Sequence, residues 1–190
     1  MKVTKLLLLS TLSAAFSFAG IITYTAGLAG ANEAPPTASP GTGFAIVTVN
    51  TILNTMEVNV TFSGLVAVDT GAHIHCCIAP GLNTIVATTT PAFPGFPLGV
   101  TAGSYDQVLD MTSAASYNPA FVTANGGTVS SAEAALFAGI AAGNAYLNIH
   151  TSTFPGGEIR GFLVATPEPG TWLLSLAGLG VLWVAKRKLA

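Results

Sequence analysis

The chain contains three histidines, His73, His75 and His150, and their spacing is its clearest opportunity for chemistry. His73 and His75 are two residues apart, so on a β-strand both rings leave the same face, about 6.6–7 Å apart. Such a His-x-His pair can grip one metal ion, and His150 from a neighbouring strand would supply a third nitrogen. Within Tyr146-Leu147-Asn148-Ile149-His150, the histidine shares a face with Tyr146 and Asn148, while Leu147 and Ile149 point the other way. Three imidazoles suit copper, zinc or nickel better than calcium or magnesium. The competing reading is structural: the rings hydrogen-bond backbone or a carboxylate, with Asp69, Asp106, Asp110 and Glu158 available. A dinuclear dismutase centre is not supported, because the chain has no fourth histidine to bridge two metals.

Cys76 and Cys77 follow His75 directly and are the chain's two cysteines. In an oxidising compartment free thiols tend to be oxidised. Three readings stay open: a strained vicinal disulfide, one thiolate joining the histidines on Cu(I) or zinc, or two inert buried thiols. Arg160 is the sole cation between Gly20 and Ala165, and apolar sequence surrounds it. Its rigid five-donor fork suits a partly buried carboxylate or backbone carbonyls. The expected arrangement is a structural ion pair drawing on Glu33 and Glu158, the latter on the same strand face.

The elements that must position these residues read mainly as strands. Ile21 to Leu28, Phe44 to Thr51 and Met56 to Phe62 are rich in Val, Ile and Thr, and in the last of these Met56, Val58, Val60 and Phe62 alternate inward. Asn50 to Asn54 would connect the second and third. Further strands are expected at Ala72 to Cys77, Thr84 to Thr88, Ser104 to Met111, Tyr146 to Thr151 and Glu158 to Val164. Pro91 to Gly99, with its prolines and glycines, is a loop. One helix is expected, opened by a capping box over Ser130-Ser131-Ala132-Glu133, carrying Leu136, Phe137 and Ile140, and ended by Gly143. Many short strands argue for an antiparallel sandwich or barrel with one short helix.

Of 190 residues only 7% are charged and 51% are hydrophobic, which suits one β-rich domain rather than a solvated or disordered chain. Five of the six basic residues lie in the tails, so Gly20 to Ala165 carries seven carboxylates against Arg160 and a net charge near −6. Such a surface repels polyanions and argues against nucleic-acid binding. Residues 1–19 read as a secretory signal peptide: Lys2 and Lys5, an apolar run, then Ser17-Phe18-Ala19 as a cleavage site. Residues 20–165 form the domain and residues 166–190 a tail. Trp172 to Ala185 is uncharged, and as a helix would span about 21 Å against roughly 30 Å of hydrocarbon, short for a permanent anchor. The basic cluster after it would stay cytoplasmic and place the domain outside.

The tail resembles the PEP-CTERM sorting signal, with Pro167-Glu168-Pro169, one hydrophobic segment, and Lys186-Arg187-Lys188. The resemblance implies export, a precursor held in the inner membrane through the C-terminal helix, cleavage by an exosortase-type enzyme, and release to the outer surface or medium. A second resemblance covers residues 21–164. Gly30-Ala31-Asn32-Glu33-Ala34-Pro35-Pro36, Ala72-His73-Ile74-His75, Tyr146-Leu147-Asn148-Ile149-His150-Thr151 and Gly157-Glu158-Ile159-Arg160-Gly161 look like the CHRD (chordin-type) domain. That likeness implies an immunoglobulin-like β-barrel, faintly similar to copper/zinc superoxide dismutases.

No nucleophile elbow, P-loop, dinucleotide fingerprint or zincin helix is present. Nothing selects a carboxylate pair for glycoside hydrolysis. The expected function is non-catalytic: binding or structural display in the envelope or extracellular matrix, with exopolysaccharide or matrix components as candidate partners. The alternative is a metal-binding or metalloredox domain holding copper or zinc through His73, His75 and His150.

Overall fold

The computed structural model describes residues 20–166. The signal-peptide reading and the sorting motif (Pro167, Glu168, Pro169, Lys186, Arg187 and Lys188) lie outside the described residues. Within them the chain forms eight strands: β1 Ile21–Ala29, β2 Thr42–Asn50, β3 Thr55–Ser63, β4 Asp69–Cys76, β5 Gly103–Asp110, β6 Ala145–Thr151, β7 Ile159–Phe162 and β8 Val164–Ala165. They make one antiparallel curled sheet in the order β4-β6-β7-β1-β2-β3-β5, with β8 beside β1. The expected all-β architecture is the observed one.

Period-two alternation explains the inner face. Along β3, Met56, Val58, Val60 and Phe62 are buried while Glu57, Thr61 and Ser63 are exposed. Tyr24, Ala26 and Leu28 of β1 and Ala45, Val47 and Val49 of β2 join them. Ile74 of β4, Leu147 and Ile149 of β6 and Ile159 of β7 extend this core. Because these aliphatics occupy the inner face, their alternate neighbours on β4, β6 and β7 must take the other one.

Two strand expectations change. The segment Thr84–Thr88 is not a strand: it meets its neighbours through isolated bridges such as His75 with Val86 and through single side-chain hydrogen bonds. The Thr88 hydroxyl, rather than a ladder carbonyl, accepts the Ile74 N–H at 2.9 Å, so a side chain caps the β4 edge where pairing would have continued. Glu158–Val164 is not one strand either. β7 lies between β6 and β1, and after Leu163 the chain resumes pairing with β1 as the separate short strand β8.

The helical content also exceeds the single helix expected. Two α-helices form, α1 Pro119–Ala124 and α2 Val129–Ala141, with short 3-10 turns at Gly30–Asn32 and Ala114–Ser116. The box that opens α2 is Thr128 with Ser131, not Ser130 with Glu133. The Thr128 hydroxyl accepts the Ser131 N–H at 3.1 Å and the Ser131 hydroxyl lies 3.3 Å from the Thr128 N–H, so both orphan donors are satisfied two residues earlier. Gly143, at φ +70°, follows the helix end as expected. Among the described residues no helix is long and apolar enough to cross a membrane.

Candidate metal centre

The register of β4 and β6 assembles the site. His73 stands opposite Asn148, His75 opposite Tyr146, and His150 opposite Gly71. All three rings therefore lie on the face of the sheet away from the aliphatic core. Their centroids are 4.6 Å apart for His73 and His150, 4.8 Å for His73 and His75, and 5.8 Å for His75 and His150. One ring nitrogen from each lies within 4.8 Å of the others. An ion bound tetrahedrally at 2.0–2.1 Å separates its nitrogens by about 3.3 Å, so modest ring rotation closes the set.

Loops that fold over this face orient each imidazole. Nδ1 of His73 donates to the Pro91 carbonyl at 3.0 Å, Nδ1 of His75 to Thr84 at 2.7 Å, and Nδ1 of His150 to Pro155 at 2.9 Å. A backbone carbonyl can only accept, so the proton must sit on Nδ1 and the lone pair on Nε2. The carboxylates offered by the sequence, Asp69, Asp106, Asp110 and Glu158, take no part in these bonds. This outer shell is invisible to motif reading, because it consists of main-chain atoms from three loops.

Packing holds those carbonyls in place. The Pro91 loop is anchored by Phe93 and Phe96, which pack against Tyr105, while Phe96 stacks on Phe62 at 5.5 Å. Gly71 gives the loop its approach: a Cβ there would fall 2.6 Å from the Pro91 oxygen. Thr84 is tied to the strand it serves, its hydroxyl donating to the Cys76 carbonyl at 3.3 Å. The Tyr146 ring stacks on His75 at 4.7 Å with an 8° interplanar angle.

His73 and His75 are only 7% and 8% exposed, and His150 is half-buried. Burial first, and the neighbouring imidazoles second, push His73 down to about 3. Burial likewise pushes His75 down to about 4, with His150 and the Arg160 charge adding to it. Burial lowers His150 as well. The three rings are thus neutral near pH 7, the state in which Nε2 can bind a metal. All three Nε2 atoms are buried without a hydrogen-bond partner.

The rest of that face is also unusual. Of eight buried side-chain polar atoms that lack a partner among the described residues, six belong here: the three Nε2 atoms, Asn148 Oδ1, Glu33 Oε1 and Arg160 Nη2. Native interiors leave few such atoms, and here six of them fall in one place.

Arg160 is wholly buried beside this cluster. Its Nε donates to the Asn32 carbonyl, and its Nη1 donates to Leu82 O at 3.2 Å and Asn83 Oδ1 at 2.7 Å. Glu33 Oε2 lies 3.8 Å from Nε, and burial raises Glu33 to about 7 against the opposing pull of Arg160. Glu158 does not join this pair. Its carboxylate accepts from Ser39 Oγ, Val66 N and Thr151 Oγ1 instead. Asn32, Leu82 and Asn83 were not legible as partners, since both segments reach Arg160 only through the fold.

Cys76 and Cys77 are joined to each other by a disulfide, on the side of β4 that faces α2. Sulfur is therefore not aimed at the imidazoles, and the cluster consists of nitrogen donors alone.

The molecule is thus an antiparallel β-domain with an imidazole triad sheltered by loops on one sheet face. It belongs to the CHRD domain family, whose profile matches residues 24–163. Neither a curated protein nor a solved structure matches the chain.

Proposed function

We propose that this protein is an exported, non-catalytic binding domain whose ligand is a transition-metal ion held by His73, His75 and His150. One observation carries the reading: three imidazoles fixed in the same tautomer, with ring nitrogens within 4.8 Å of one another, each keep a buried Nε2 without a partner. Leaving a buried polar atom unpaired is costly, and three at one point are best explained by an ion that uses them together. The all-nitrogen donor set fits copper or zinc. Export by the signal peptide and exosortase-type sorting by the tail would put this site on the outer surface or in the matrix, where exopolysaccharide is a candidate neighbour. Metal analysis of the full chain, purified without a histidine tag, tests the reading. One equivalent of copper or zinc, lost on His73→Ala or His150→Ala, is expected. A chain that takes up neither metal from buffered solutions ends the proposal.

A further inference from the structure

We infer that the ion this site selects is monovalent copper rather than a divalent ion. The inference rests on the metal-binding reading above and concerns its charge balance. Three neutral imidazoles bring no negative charge to the ion. No carboxylate supports them from behind, since all three Nδ1 atoms donate to backbone carbonyls. Where carboxylates do stand behind metal-bound histidines they make the ligands more basic and offset the ion's charge.

None of the nearby acids bonds to an imidazole. Glu158 accepts from Ser39, Val66 and Thr151, and Asp69 Oδ1 accepts from Val100 N at 2.8 Å. Glu33 lies against Arg160. The charge that does border the site is positive: the Arg160 guanidinium sits 4.6 Å from the centre of the Tyr146 ring, and that ring stacks on His75. Burial raises the Glu33 carboxyl to about 7 against the opposing pull of Arg160.

The cost of moving an ion out of water rises with the square of its charge, and repulsion by a fixed cation rises in proportion to it. Both effects disfavour a divalent ion here. Cu(I) carries half the charge and is satisfied by three nitrogen donors, whereas zinc on three histidines must also hold a water or other fourth ligand. The ligand class is therefore a soft monovalent ion in a neutral tris-imidazole cup.

Competition titrations on the full, untagged chain test this. Cu(I) is measured without oxygen against bicinchoninate, with ascorbate as a thiol-free reductant, and Cu(II) and Zn(II) are measured against aminocarboxylate chelators. One equivalent of Cu(I), bound at least tenfold more tightly than Cu(II) or Zn(II), is expected, and the Cys76→Ser/Cys77→Ser double variant should keep that preference. Cu(II) or Zn(II) bound as tightly as Cu(I) overturns the inference and leaves the metal-site reading standing. Loss of the preference in the double variant would assign it to sulfur and also overturn it. Failure of all three ions to bind removes the metal-site reading itself.

Discussion

The imidazole of His150 and the carbonyl of Pro155 meet at 2.9 Å, so the turn that leaves β6 fixes the ring that β6 carries. Gly157 permits that turn. Its φ of +126° suits glycine, and a Cβ would fall 2.5 Å from Asn148 Nδ2 and 2.8 Å from Glu33 Oε1. Gly157→Ala should therefore weaken metal binding about tenfold or more while all three histidines remain. Chelator competition against wild type checks this, and an unchanged affinity would show that the turn does not position His150.

Acid should destabilise the metal-free domain early. His73 and His75 are pushed down to about 3 and about 4, below the unfolded value of about 6.5. The unfolded chain then binds more protons, so stability is complete above about pH 6.5 and falls as pH drops toward those folded values. By pH 5 the loss should be on the order of 2 kcal/mol per histidine. Urea midpoints measured at pH 7, 6 and 5 should decline, and His73→Gln/His75→Gln should flatten that decline. A profile equally steep in the double variant would place the titration elsewhere.

Arg160→Met should destabilise the domain by about 3–5 kcal/mol, since it leaves Glu33 and the Asn32 and Leu82 carbonyls without their buried partner. Arg160→Lys should rescue little of this, because an ammonium cannot reproduce the fork that reaches both Nε and Nη1 partners. Thermal or urea unfolding reads the difference. A lysine variant as stable as wild type would mean that charge alone suffices.

Gly139 of α2 lies against the cysteine pair, and a Cβ there would collide with Cys76 Sγ and Cys77 Sγ. Gly139→Ala is expected to cost about 1–3 kcal/mol through overpacking. Thiol titration of the exported, unreduced protein should find no free sulfhydryl. Two reactive thiols per folded chain would contradict the bridged pair.

In its native host the mature protein should lack Trp172 to Ala190, and replacing Pro167-Glu168-Pro169 by alanines should trap the precursor in the inner membrane. Intact-mass measurement of the secreted form decides the first point. Retention of residues 172–190 would sink the sorting reading.

The residues that could be read directly were those governed by local period. Met56, Val58, Val60 and Phe62 face the core because a strand alternates, and the same rule sends His73 and His75 to one face. The inward pull on Ile74, Leu147 and Ile149 put His150 on that face too. Tertiary structure decided what long-range contacts control. That β4 and β6 are neighbours depends on strand order, and with it the meeting of His73 and His150. The carbonyls of Thr84, Pro91 and Pro155 belong to loops whose paths are set by packing such as that of Phe93 and Phe96, and a main-chain oxygen leaves no mark in the residue alphabet. Arg160 and Glu158 illustrate the same limit. Their spacing predicts a shared face, yet Arg160 bonds to Asn32, Leu82 and Asn83 and Glu158 to Ser39, Val66 and Thr151, because hydrogen bonds between distant segments depend on the folded path and not on sequence separation.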